Sequence, residues 1–466
     1  MIDFLMRIFQ IIRILSILAK KQILTHPGQL NIPANYRFLG KFLGLVFYPI
    51  GLFNAPKLSF GNRLTSFFEK LGPIYIKFGQ TLSTRPDLVG AEVAKNLRYL
   101  QDSLPAFSSE MVHKIIDQSF GEPVEKLFEA FDDQAVAAAS ISQVHKAKLK
   151  TGELVAIKIL RPGIHKKYNK DIKLLYFLAR IAAKILPKMK RLRPIEVVDV
   201  FKETMKCELD LRLEAAAASQ MADNFRSDFE VYIPQIYWNF TSEDIMTTEW
   251  IEGISIYDTQ ALISTGLDPS EISRKIAVMF FNQAYRDGFF HADLHPGNIL
   301  VMSDGTIALL DFGIMGRLAE KDRLGIAEIL FAFLKRDYKL VAKVHHKVGY
   351  IPHNTNLELF AQSCRAVCEP IVGIPLKEIS IGKLLAQLFK VTEDFGMETQ
   401  PQLLLLQKTM VVVEGIGQSL DHEINMWQLA EPWIKKWAVK NISPEAKFLR
   451  MIKKIINELL EKEEGF

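Results

Sequence analysis

Cysteine is nearly absent from this chain, with three in 466 residues, too few for the disulfide framework of a small secreted domain. Cys364 and Cys368 stand four apart on an expected helix without histidines at metal spacing, so they read as packing residues, and a reducing cytoplasmic setting fits. Charge of one sign is lacking too. Lys+Arg number 58 against 53 Asp+Glu, an excess too small to argue for a nucleic-acid partner. Neither terminus offers the run of about 18 uncharged apolar residues that a membrane span needs. There are no internal repeats, no low-complexity segment, no Gly-x-Gly-x-x-Gly dinucleotide signature and no iron-ligand cluster. What is present is core-forming material: 49% of the chain is hydrophobic and 31 residues are phenylalanine. The length suffices for two lobes and an extension.

The chemistry-bearing residues cluster in two places. His291-Ala-Asp-Leu-His-Pro-Gly-Asn298 is followed by Leu309-Leu-Asp311-Phe-Gly313, with a hairpin at Ser303-Asp-Gly305 between them. This is the spacing of kinase-like phosphotransferases, where catalysis is mostly positioning of metal and nucleophile. Asp293 would orient or deprotonate the attacking group, and Asn298 and Asp311 would hold Mg²⁺ against the phosphates of ATP. Upstream, Glu153-Leu-Val-Ala-Ile-Lys158 reads as a buried strand whose lysine meets the α- and β-phosphates. Its partner is expected in the helix Glu208-Leu-Asp210-Leu-Arg-Leu-Glu214, at Glu214 before an alanine run. Taken singly, Lys158 reads as an edge residue and Glu214 as part of a solvated helix face.

Two features depart from protein kinases. The loop that should cover the phosphates with glycine is Val136-Ala-Ala-Ala139-Ser140-Ile-Ser142-Gln143-Val-His145, which has none. Alanine resists the positive φ that glycine adopts freely, so this cover is expected to be stiffer and to meet nucleotide in its own way. After Asp-Phe-Gly the chain passes through Ile314-Met-Gly316-Arg-Leu318 directly into a helical pattern, without Ala-Pro-Glu or room for a long activation segment. A peptide substrate is correspondingly doubtful.

Farther upstream, Leu71-Gly-Pro-Ile-Tyr-Ile-Lys77-Phe-Gly79-Gln80-Thr-Leu-Ser83-Thr-Arg85-Pro-Asp87 reads as an amphipathic helix. Together with the alanine loop, the Glu-Leu-Asp helix and His-Ala-Asp-Leu-His-Pro-Gly-Asn, it closely resembles the UbiB family, the aarF-domain-containing atypical kinase-like proteins of ubiquinone biosynthesis. The resemblance covers roughly residues 56–320 motif by motif. It implies that Lys77 and Gln80 match the Lys-x-Gly-Gln motif that folds over the active site, and that Glu208 and Asp210 match the Glu-x-Asp motif that engages it. It places Ala137, Ala138, Ala139 and Ser140 in the alanine-rich loop, and Lys158, Glu214, Asp293, Asn298 and Asp311 in the kinase set. ATP and Mg²⁺ are the implied cofactors, and ATP turnover at membranes in support of ubiquinone synthesis is the implied activity. Implied partners are ubiquinone precursors or the enzymes that modify them. Rival readings are a small-molecule kinase of the aminoglycoside or choline type, a Ser/Thr protein kinase, and a nucleotide-gated scaffold.

The expected fold is α+β, a two-lobed protein-kinase-like architecture with a helical N-terminal extension and a mostly helical larger lobe. Residues 1–55 form an apolar, basic N-terminal segment and 56–125 the helical extension. Residues 126–252 form the smaller lobe, 253–440 the larger lobe and 441–466 a charged amphipathic tail helix. The smaller lobe's last strand ends at a hinge near Glu252-Gly253, where backbone groups around Glu249 and Ile251 would meet adenine. Asp268-Pro269 opens the helix that delivers the catalytic loop. Many members of the family end in two hydrophobic spans, which this chain lacks, so any anchor lies elsewhere. Residues 1–24, apolar but carrying Arg7, Arg13, Lys20 and Lys21, read as a cationic helix lying on anionic membrane lipids, or else as one packed on the protein itself. Phe42–Phe53 is too short for a span and reads as interfacial or buried. The basic run from Lys184 to Arg193 reads as a solvated linker or an anionic-lipid patch. The cytoplasmic face of the inner membrane is the expected location.

Overall fold

Alternation in Leu154-Val-Ala-Ile-Lys-Ile-Leu160 organises the first sheet, because side chains of a strand point to opposite faces in turn. Val155, Ile157 and Ile159 are fully buried on one face, which leaves Lys158 on the other. The computed structural model describes residues 2–21, 60–83, 91–97, 100, 104–185, 194–372, 387, 391, 394–396, 400–421, 432–433, 436–437 and 441. The apolar run 42–53, Arg85, Asp87, the basic residues 188–193 and the tail 442–466 lie outside the described residues.

The chain divides into two units, one of residues 1–214 with 236–250, the other of residues 215–235 with 251–466. The N-terminal helices therefore group with the first sheet, and residues 215–235, expected in the smaller lobe, group with the second unit. In chain order the helices α1 (Ile2–Lys20), α2 (Phe60–Leu71), α3 (Pro73–Ser83), α4 (Ala91–Leu97), α5 (Ser109–Phe120) and α6 (Val124–Leu127) come first. Strands β1 (Phe128–Phe131), β2 (Ala137–Ala138), β3 (Ser142–Leu149) and β4 (Leu154–Leu160) follow, then α7 (Ile164–Ile185), α8 (Pro194–Glu208) and α9 (Leu211–Phe225). Strand β5 (Val231–Tyr232) belongs to the second unit and β6 (Ile245–Glu249) to the first. The first sheet is antiparallel, ordered β1-β3-β4-β6 with β2 also on β3. Its apolar face packs on Val112 and Ile116 of α5, with Phe128, Leu149 and Ile245 completing the cluster.

The second unit continues with β7 (Ile254–Ser255), α10 (Thr259–Ser264), α11 (Pro269–Phe281), β8 (Phe289–His291), β9 (Ile299–Val301), β10 (Ile307–Leu309) and β11 (Met315–Arg317). After these come α12 (Glu320–Leu334), α13 (Tyr338–Val348), α14 (Leu357–Val372) and α15 (Pro401–Leu420). Asp268 caps α11 by accepting from the Ser270 N–H, with proline next in line. A π-helical turn at Asn282–Asp287 ends in left-handed Gly288 (φ +67°), where a Cβ would stand 2.6 Å from the Leu318 carbonyl oxygen. That turn delivers β8, which pairs with β11, while β9 and β10 form the hairpin around Gly305. Cys364 is fully buried in α14, as a packing residue should be.

Helix α1 docks on its own unit. Gln10 Nε2 donates to Asp171 Oδ1 at 3.3 Å, Arg13 to the Lys70 carbonyl at 3.1 Å and Lys21 to Ser66 Oγ at 2.6 Å. No helix among the described residues is long and apolar enough to cross a membrane. Burial pushes the Asp171 carboxyl from its ordinary 3.8 up to about 6, against the opposing pull of Lys167, Lys170 and Arg13. The native state thus holds a proton that the unfolded chain releases, so this group lowers stability as pH rises from about 4 to about 6, and the deficit persists above that range. Asp171→Asn removes the charge and keeps an acceptor for Gln10. It should raise Tm at pH 7.5 and leave it unchanged near pH 4, and paired thermal melts at the two pH values check this.

Candidate active site

In the first unit Lys158 Nζ lies 2.6 Å from Glu214 Oε1, with Glu214 nearly fully buried in the first turn of α9. A buried carboxylate is tolerated when a cation neutralises it, so the pair fixes the ammonium over the face of the sheet at β4, between β3 and β6.

The alanine loop is a tight hairpin. Ala137 faces Val144, Ala138 faces Gln143, and the Ala139 N–H donates to Ser142 O at 2.8 Å. Among the described residues Arg336 is the one non-glycine with positive φ, so none of these alanines pays the left-handed penalty. Side chains the motif reading left unassigned hold the loop from behind. Arg161 donates to Ala139 O at 2.7 Å and to Leu104 O at 3.2 Å. Buried Gln143 accepts from the Phe107 N–H at 2.8 Å and donates to Phe107 O at 3.3 Å and to His145 Nε2 at 2.8 Å. The His145 Nδ1–H in turn donates to Asp132 O at 2.8 Å. Ser140 is fully buried at the turn.

The Lys-Phe-Gly-Gln segment lies in α3, each residue with a distinct contact. Lys77 Nζ is 3.1 Å from Glu208 Oε2 and Phe78 packs edge-on against Phe201. A Cβ on Gly79 would stand 2.4 Å from Leu100 Cδ1, and Gln80 donates to Leu100 O at 3.4 Å. Lys77 and Glu208 therefore meet as expected, whereas Asp210 goes elsewhere. It sits at the N-terminus of α9, accepts from the Arg212 N–H at 3.1 Å, and pairs with the Arg212 guanidinium at 2.9 Å. The Arg212 hydrogen bond holds the Asp210 carboxyl below its ordinary range. Glu249 closes β6 opposite Val155, and Ile251 is the first residue after the change of unit.

In the second unit Asp293 and Asn298 lie in the loop between β8 and β9, and Asp311 lies just after β10. His291 is fully buried. Its Nδ1 accepts from the Asp293 N–H at 3.1 Å and its Nε2–H donates to the Asp311 carbonyl. This fixes the neutral Nε2–H tautomer, and burial lowers the imidazole's pKa in the same sense. The Asn298 amide donates to the Asp293 carbonyl at 3.1 Å, and the Leu310 N–H donates to Asn298 O at 3.0 Å. The Gly313 N–H donates to Asp311 Oδ1 at 2.9 Å. The side-chain oxygens of Asn298 and Asp311 are hard donors suited to Mg²⁺. Among the described residues no group of three His, Cys, Asp or Glu side chains is placed to hold a metal. Mg²⁺ shared with phosphates needs only one or two carboxylates from the protein. Asp293 Oδ1 lies 3.3 Å from Lys408 Nζ of α15, a residue that motif reading passes over. Its signal in the sequence is that it is the one cation of α15.

Comparison with known proteins leads to the same place. Residues 99–345 match the ABC1 atypical kinase-like domain and residues 364–425 the UbiB helical domain. A Marinobacter nauticus protein named Probable protein kinase UbiB is 44% identical over 415 residues, 88% of this chain and 75% of that protein. Proteins of the same name from Vibrio cholerae (43% over 398 residues, 84% and 73%) and Pseudomonas fluorescens (42% over 394 residues, 84% and 74%) are similar to it as well. Rv3197 of Mycobacterium tuberculosis, solved with erythromycin, shares the fold with a TM-score of 0.51 at 23% identity, covering 79% of this chain and 94% of that one.

The grip of Arg161 on the alanine hairpin is directly testable. Hydrogen bonds from a charged donor contribute about 1.5–3 kcal/mol, and here they hold carbonyls that the sheet leaves over. Arg161→Ala should speed amide hydrogen exchange across residues 136–144 while residues 299–309 exchange as before. Unchanged exchange in the hairpin would show that the sheet alone rigidifies it.

Proposed function

The chain belongs to the UbiB family, and on that premise we propose that it binds Mg²⁺–ATP and turns it over, by hydrolysis or phosphoryl transfer, in support of ubiquinone synthesis. The observation that carries this reading is the loop His291–Asn298. One imidazole ties its backbone to that of Asp311, and one amide ties Asn298 to Asp293, so the main chain that carries three oxygen-bearing side chains is set by hydrogen bonds independent of any ligand. Preorganised positioning of this kind is most of what phosphoryl transfer asks of a protein.

In this reading the Lys158 ammonium, oriented by Glu214, meets the α- and β-phosphates, and the alanine hairpin lies along the nucleotide. Asn298 and Asp311 would hold Mg²⁺, which would supply positive charge against the phosphates. Asp293 orients the attacking oxygen and receives its proton. The route from Gly313 to α12 favours a non-peptide acceptor, or water. Only β11 and a few linking residues intervene, leaving no platform for a peptide. The Lys77–Glu208 pair favours the UbiB-type mechanism over that of small-molecule kinases, whose acceptor sites are open. Work at the cytoplasmic face of the inner membrane, on anionic lipid and among ubiquinone precursors or the enzymes that modify them, follows from the family reading.

Asp311→Asn keeps shape and the Gly313 contact but removes the charge that binds Mg²⁺. The wild type should show a rise in Tm with ATP that requires Mg²⁺. The variant should lose that rise and keep its ligand-free Tm. An Mg²⁺-dependent shift of unchanged size in the variant would remove Asp311 from the metal site. For the pathway, a deletion strain should accumulate a polyprenyl-phenol intermediate that the wild-type gene clears and the Asp311→Asn gene does not. Normal ubiquinone levels in that strain would refute the biosynthetic role.

A further inference from the structure

We propose that Lys408, on the UbiB helical domain, is a positioning residue for Asp293 and brings positive charge to the site of phosphoryl transfer. The inference rests on the ATP-turnover reading above.

The backbone around Asp293 is already fixed on both sides, its N–H by His291 and its carbonyl by Asn298. What remains free is rotation of the carboxylate. Lys408 Nζ reaches Oδ1 at 3.3 Å and restricts that rotation. The catalytic loop has a basic side chain of its own, His295, but its Nδ1 accepts from the Gly297 N–H at 3.0 Å and so faces its own backbone. The cation beside Asp293 therefore comes from more than a hundred residues downstream, |i−j| = 115.

Helix α15 is built to hold that lysine in place. Leu403, Leu406, Met410, Val413 and Ile416 are buried along it. At its end Asp421 accepts from Ser270 Oγ at 2.6 Å, which ties it to the first turn of α11, the helix leading to the catalytic loop. Lys408 is the only Lys or Arg in this helix. The two side chains are 41% and 35% exposed, and an ion pair that open contributes little to folding. Stability alone gives no reason for a lysine here, where a shorter polar residue would serve as well.

The chemistry supplies one. The attacking oxygen bonds to the γ-phosphorus, the bond from that phosphorus to the β–γ bridging oxygen breaks, ADP leaves with the electron pair, and the proton passes to Asp293. Holding the carboxylate in the accepting orientation and placing a cation beside the transferring group both act on the transition state more than on bound ATP.

The test uses the full chain with Lys408→Met and Lys408→Arg. ATP turnover is measured, along with affinity for Mg²⁺–ADP and for Mg²⁺–ADP with aluminium fluoride, a mimic of the phosphoryl group in flight. Lys408→Met should lower kcat by about tenfold or more, with KM for ATP and affinity for Mg²⁺–ADP within about twofold of wild type. Affinity for the aluminium fluoride complex should fall in step with kcat, and Lys408→Arg should recover most of both. Wild-type kcat and wild-type affinity for the mimic in Lys408→Met would overturn the inference while leaving ATP turnover standing. So would a loss that tracks a lower Tm and is not recovered by arginine. If the wild type neither turns over ATP nor binds the nucleotide complexes, the functional reading fails and takes this inference with it.

Discussion

His291 is buried with both ring nitrogens committed to backbone, one accepting from Asp293 and the other donating to Asp311. The two aspartates that matter most to the proposed chemistry lie on different segments, one after β8 and one after β10. A single ring fixes both main chains. The arrangement works only for the neutral imidazole, since a protonated Nδ1 could no longer accept from Asp293. Burial favours that neutral form. The main chain of His291 is itself held by Gln283, whose Oε1 accepts from the His291 backbone N–H at 2.9 Å. Gln283 stands in the π-helical turn that ends α11. The local irregularity of that helix and the geometry of the aspartates are thus parts of one hydrogen-bonded chain.

The first unit solves a different problem with similar means. A glycine-rich cover is pliable because its backbone can visit positive φ, and the alanine hairpin here gives up that freedom. Polar side chains packed against it hold it instead. Gln143 makes three hydrogen bonds, His145 two, and Arg161 reaches carbonyls on both Ala139 and Leu104. A fully satisfied buried network specifies one geometry, because each misplaced member would strand a partner away from water. Lys158 and Glu214 behave the same way on the neighbouring strand and helix. In both units the reactive groups are held in place by the protein's own hydrogen bonds.

Much of this was legible in the sequence, and the reasons differ by element. The β4 strand was legible because alternation of Val155, Ile157 and Ile159 is a local signal and Lys158 falls on the opposite face. The loop from His291 to Asn298 was legible as a segment because its residues recur at a fixed spacing, and the α11 start because Asp268-Pro269 is a capping signal that tertiary packing did not override. The Lys77–Glu208 contact was reached through family resemblance; nothing in either helix alone pairs them. Asp210 went the other way. Two residues from Arg212, it is captured by a local partner and by the N-terminus of α9, a short-range competition that motif matching ignores. The unit boundaries were only partly visible, since the break after Trp250 lies near the expected hinge whereas the shift of residues 215–235 is made by β5 pairing with β10, a non-local contact. Arg161 and Lys408 escaped because their roles are defined by carbonyls and carboxylates distant in sequence.

The helical domain also bears on what the missing activation segment means. In protein kinases the stretch after Asp-Phe-Gly builds the acceptor platform and responds to regulation. Here β11 closes directly onto β8, and Gly316 is admitted opposite Phe290 because a Cβ there would stand 2.1 Å from the ring. That register leaves no slack for a loop to order and disorder. The element that touches Asp293 is instead α15, a long helix held by a buried apolar stripe and by Ser270. A side chain borne on a packed helix is positioned more exactingly than one on a loop, and it is also harder to switch. The architecture therefore favours a catalytic loop that is permanently assembled, with any control exercised through access of the acceptor and through the nucleotide.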